Sequence, residues 1–182
     1  MKGPGVAICD GCVRVSYEII ASLDGSSPPQ APADEVMVAI TRAQQAALDG
    51  ERAQARQEFA ELWDRIGPDG DPLHRVTLAH YMADVQDDPN DELEWDRRAL
   101  SAADALTDER AKEYHATLAV RGFYASLYLN LAQDYHKLGA TAQAREYLAA
   151  AERASVDLPA DGYGTLVRDG IAALGERLST SD

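Results

Sequence analysis

The sequence predicts an all-α protein, on three observations. Apolar residues recur three and four positions apart over most of the chain, the period of one helix face. Alanine is abundant, and Gly, Pro and Asp gather between the apolar stretches rather than inside them, so strong helix formers fill the elements and breakers fill the joints. Runs of Val, Ile, Thr and aromatics in strict alternation, the mark of half-buried strands, are few.

Each element follows from its own signals. Residues 1–24 form a small unit around Cys9 and Cys12 with a short apolar helix behind it. Residues 25–33 contain Gly25-Ser26-Ser27-Pro28-Pro29-Gln30-Ala31-Pro32, a flexible linker by composition. The helical domain takes residues 34–182. Asp34 caps a first helix through Val36, Ile40, Ala43 and Ala47, ending at Asp49-Gly50. A second carries Ala55, Phe59, Leu62 and Ile66 and stops at Gly67-Pro68. Asp71-Pro72 and Asp88-Pro89 each place a capping side chain ahead of a proline at the first helical position, a strong start signal. Thr107 with Asp108 and Glu109 opens a long helix expected to run to Leu138, with Gly139 as its left-handed stop. Ala144, Leu148 and Ala151 mark the next helix, and Leu166, Ile171, Leu174 and Leu178 a terminal capping helix.

Composition narrows the function. The 182 residues carry 17 Lys and Arg against 31 Asp and Glu, a formal charge of −14. Such a surface repels phosphate backbones and anionic lipid, so nucleic acid and membranes are poor partners. No segment is long and apolar enough to span a bilayer, and Met1-Lys2-Gly3-Pro4-Gly5 leads into no signal-peptide core. Both cysteines lie in one Cys-x-x-Cys, which fits metal chemistry in a reducing, cytoplasmic setting better than a secreted disulfide framework.

An internal period underlies the helical part. Aligning Gly50 with Gly139 places Ala55 on Ala144 and Phe59 on Leu148. Tyr128, Leu131, Ala132 and Tyr135, then Ala144, Leu148 and Ala151, keep the spacing of a helix hairpin whose small residues let two helices approach. This pattern resembles the tetratricopeptide repeat. The first copy keeps only Ala55, Phe59 and Leu62, and the middle one Leu78, Ala79 and Ala99. The resemblance implies a TPR-like array of helical hairpins, with a concave surface presenting Ile40, Gln44, His80, Gln133, His136 and Lys137 to a protein or peptide. Only Asn130 and Lys137 approach the basic clamp by which some members grip a C-terminal carboxylate, so that ligand is not expected.

The N-terminal segment carries a second resemblance. Gly3-Pro4-Gly5-Val6-Ala7-Ile8-Cys9-Asp10-Gly11-Cys12-Val13, followed by Glu18-Ile19-Ile20, is similar to the second half of the ClpX-type zinc-binding domain. That family holds zinc with four thiolates and dimerises through its apolar helix. The resemblance therefore implies Cys9 and Cys12 as metal ligands, zinc as cofactor, and Val13, Tyr17 and Ile20 as a homodimerisation face. Two thiolates leave a structural zinc site half filled. Three arrangements stay open: a start upstream of Met1 that supplies a second Cys pair, two chains sharing one zinc, or a unit without metal.

Catalytic signatures are missing. No Gly-x-x-x-x-Gly-Lys-Ser/Thr loop, His-Glu-x-x-His or Gly-x-Ser-x-Gly occurs. The acidic run Asp84, Asp87, Asp88, Asp91 and Glu92 lacks the central Gly and terminal Glu of a calcium loop. His80 and Asp84, one helical turn apart, are spaced to pair. The expected function is a non-enzymatic adaptor, with zinc binding and dimerisation at the N-terminal unit and peptide or protein binding on the repeats. The rival is a small zinc-dependent regulator contacting nucleic acid, for which Arg14 is the lone nearby cation.

Overall fold

Local capping fixes where the helices begin. In the computed structural model, which describes residues 34–114, 120–158, 160 and 162–180, Asp34 Oδ1 accepts from Met37 N at 3.1 Å. Asp71 Oδ1 accepts from Leu73 N at 2.9 Å, and Asp88 Oδ1 from Asn90 N at 2.8 Å. The helices are α1 (Glu35–Leu48), α2 (Arg52–Ile66), α3 (Pro72–Asp84), α4 (Pro89–Ala103), α5 (Asp108–Tyr114), α6 (Val120–Lys137), α7 (Thr141–Ala154) and α8 (Gly162–Ser179), with a 3₁₀ turn at Ser155–Asp157. Strands are absent among the described residues. Stops are equally local. Gly139 takes φ of 74°, a left-handed conformation that only Gly adopts freely, and Ala140 N then bonds Tyr135 O at 2.8 Å.

One expected element is corrected. The long helix from Thr107 to Leu138 is not continuous: Val120 N lies 2.9 Å from Asp108 Oδ1. A straight helix would hold residues twelve apart at about 18 Å. Asp108 opens α5 and returns to bond the first turn of α6. An acidic side chain placed for one helix start thus serves two.

The helices pack as neighbours in sequence, α1 on α2, α3 on α4, and α6 on α7, with α4 also against α6 and α8 against both α6 and α7. Two apolar cores result. The first joins α1–α5 around Ile40, Phe59, Leu73, Leu78 and Tyr81; the second joins α6–α8 around Leu129, Ala144, Leu148, Val167 and Leu174. Ala132 and Ala144 are fully buried, and Gly170 lets α8 approach so closely that a Cβ there would lie 2.8 Å from Leu129 Cδ2. In the terminal helix Val167 is fully buried and Leu166 only partly so. The two cores meet at α6, whose Val120 and Leu127 enter the first while Ala125, Leu129 and Ala132 enter the second.

Among the described residues no helix is long and apolar enough to cross a membrane. Cys9, Cys12, the Val13–Tyr17–Ile20 face and the linker lie outside the described residues.

Candidate functional site

A helix buried on two sides must choose what to place at the seam. Along α6 the stripe Val120, Phe123, Leu127 continues at the same spacing into Asn130, Asp134 and Lys137. The apolar half packs into the first core; the polar half meets α3 and α4. Asp96, Asn130, Asp134 and His80 are all buried there. Asn130 Nδ2 lies 3.1 Å from His80 Nδ1 and 3.3 Å from Asp96 Oδ1. At the rim Lys137 Nζ donates to Asp134 Oδ1 at 3.3 Å and to Glu92 Oε1.

Burial sets the electrostatics. Asp134 is pushed up to about 9, first by desolvation and then by the charges of Asp96 and Glu92 and a side-chain hydrogen bond with Asp96, with Lys137 opposing. For His80 desolvation disfavours the charge, but the neighbouring Asp96 carboxylate and the charge of Asp84 outweigh it and raise the pKa. That preference conflicts with the hydrogen bond drawn from Asn130, which needs a lone pair on Nδ1. A neutral ring protonated on Nε2 satisfies the bond as placed. A charged ring instead aims Nδ1–H at Asp96 Oδ1, 3.8 Å away, once the Asn130 amide turns over.

Beside this seam lies a tyrosine face. Tyr135 and Tyr147 stack at 5.3 Å and 13°, Tyr128 sits 6.3 Å from Tyr147, and Tyr124 lies 5.8 Å from Tyr128. Arg97 of α4 closes one end, its guanidinium 5.7 Å from the Tyr135 ring and Nη2 donating to the hydroxyl at 2.7 Å. At the other end the Tyr124 hydroxyl donates to Asp104 at 2.9 Å. Burial and that bond push Tyr124 up to about 12. All four rings are partly exposed.

The residues expected on a concave surface separate into two groups. Ile40, Gln44 and His80 are buried, at 0%, 5% and 6% exposure. They offer a partner almost no area. Gln133 and His136 are half-buried and Lys137 exposed. The structure links His80 to Lys137 through Asn130, Asp96 and Asp134, and leaves Ile40 and Gln44 on α1. His80 bonds across to α6 rather than pairing along its own helix with Asp84, which acts on it only through charge. Sequence reasoning did not assign Asp96, Asp134, Arg97 or Tyr147 to a site. The usable signal was Asn130 and Asp134 continuing the apolar stripe of Val120, Phe123 and Leu127.

The acidic run is engaged in structure. Asp87 pairs with Arg56 at 2.7 Å, Asp88 caps α4, and Glu92 holds Lys137. Among the described residues no group of three or more His, Cys, Asp or Glu is placed to hold a metal ion. No protein-family model, curated protein or solved structure matches the chain.

Proposed function

We propose that this chain is a non-enzymatic interaction adaptor, a TPR-like array of helical hairpins that docks a peptide or protein segment, preceded by a ClpX-like unit that binds zinc through Cys9 and Cys12 and dimerises. The observation that carries the docking part is the tyrosine face. Tyrosine combines a large rigid apolar body with a polar tip at small entropic cost, which is why it is enriched where proteins meet. Four such rings run continuously over α6 and α7 beside one exposed arginine. The buried alanines Ala132, Ala144 and Ala151 support the repeat reading. For the N-terminal unit the support is its sequence resemblance alone.

Selection from a displayed peptide library on the immobilised chain tests the docking face. Binders recovered on the native chain should lose at least tenfold in affinity against the Tyr128→Ala/Tyr147→Ala variant, since central aromatic anchors carry ~2 kcal/mol or more. Binders that hold the variant equally well would remove the face from the proposal. Zinc content separates the metal readings: about one ion per two chains supports sharing, and none in either this chain or an N-terminally extended one removes zinc. Sedimentation of the Tyr17→Asp/Ile20→Asp variant tests the dimer, which should become monomeric without any change in helical content.

A further inference from the structure

A buried carboxylate oxygen without a donor is costly. At the α3–α4–α6 seam, Asp134 Oδ2 and Asn130 Oδ1 are both buried and have no hydrogen-bond partner. Asn130 has already directed its amide nitrogen to His80 and Asp96. Lys137 reaches only Asp134 Oδ1, and it divides its charge with Glu92. The donor that can satisfy Asp134 Oδ2 is its own proton, and the buried Asp96 carboxylate, near enough for its charge to raise Asp134, is the acceptor that proton can reach.

We infer that the Asp96–Asp134 carboxyl pair is a proton-held latch that seats the α6–α8 unit on the α3–α4 hairpin, and that removing the shared proton loosens that seat. Every charged group facing the pair bears on the sign. From α3 come His80 and, behind it, Asp84; from α4, Glu92 and Asp96; from α6, Lys137. With the proton gone, the buried Asp96 and Asp134, with Glu92 at the rim, face one half-exposed lysine and one histidine, and water screens the buried pair poorly. A neutral His80 keeps the Asn130 bond but no longer offsets Asp96. Both titrations therefore act in one direction: the seat is firm in mild acid and weakens as pH rises. Asp134 and Tyr135 are adjacent, as are Asp96 and Arg97, so the latch underlies the end of the tyrosine face. It stands on the seam's own geometry and does not depend on that face binding anything.

Amide hydrogen exchange between pH 6 and pH 9, corrected for base catalysis, reads the latch directly. Protection of α6–α8 should fall relative to α1–α2, by at most about tenfold per pH unit for each proton released. In Asp134→Asn, whose amide donates to Asp96 at every pH, the differential fall should shrink to the part that His80 contributes, which ends near neutrality, and should be absent on the alkaline side. Equal loss in both regions, or an alkaline differential as large in the variant as in the native chain, overturns the inference. Should that variant fail to fold, carbon-detected NMR of the unaltered chain decides. An Asp134 carboxyl carbon that titrates only on the alkaline side of neutrality supports the latch, and one that titrates near the ordinary carboxylate value of about 4 overturns it.

Discussion

Two polar clusters, each with one histidine and two aspartates, tie α3 to its neighbours, and an aspartate in one titrates in the opposite sense to an aspartate in the other. At the start of α3, His74 Nε2 lies 2.8 Å from Asp34 Oδ2, and Arg110 of α5 reaches both Asp34 at 3.1 Å and Asp71 at 2.6 Å. Burial alone would raise Asp34, but the bonds from His74, Met37 N and Arg110 outweigh it and lower the pKa. Half a helix further on, the His80 cluster has two buried carboxylates and no arginine, and Asp134 rises. An aspartate near a histidine therefore says little by itself. The number of donors that the surrounding helices supply decides whether the carboxyl keeps its charge.

The sharpest way to break this comparison is pH. Asp134 and His80 have raised folded values, so their contributions to stability are present below their unfolded values and are lost as pH rises through the folded ones. For Asp134 that window runs from about 4 to about 9. Asp34 is lowered, so its contribution is present above its unfolded value and is lost as pH falls through the folded one. Denaturant melts from pH 3 to pH 9 should show a maximum in mild acid, with an alkaline decline that Asp134→Asn flattens and an acid decline that it leaves alone. A stability plateau from pH 6 to pH 9 would show the two clusters to be alike.

Asn130→Leu should cost roughly 2–3 kcal/mol at pH 7, because it strips a buried carboxylate of its donor rather than replacing both partners. Chemical denaturation measures it, and a loss below about 0.5 kcal/mol would mean that the seam is not holding the hairpins. Ala144→Leu, in the second core and away from both clusters, should cost roughly 1–3 kcal/mol by overpacking the α6–α7 crossing. It should shift the whole pH profile downward without changing its shape. Arg110→Met should have the smallest effect, about 1 kcal/mol and diminishing with salt, since its partners are partly solvated. Its specific sign is a rise in the Asp34 pKa, seen in the acid limb; an unmoved limb would show that backbone and histidine bonds alone hold that charge.

The sequence by itself determined the helical class and nearly every helix end. Asp34, Asp71, Asp88, Gly50, Gly67 and Gly139 act within four residues of themselves, and interactions that short are written in the order of the residues. It also marked Ala132 and Ala144 as a tight crossing, because only small residues at helical spacing permit one. Tertiary structure decided the rest. Asp108 closes back on Val120 across the position where periodicity called for one unbroken helix. Ile40, Gln44 and His80 point into the protein, not out of it. Asp96 on α4 meets Asn130 on α6 across 34 residues of chain. Periodicity says that a helix has an apolar face, but not which partner covers it or how many faces are covered. On α6, two cores cover two faces, and the chemistry of the seam between them exists only once both have formed.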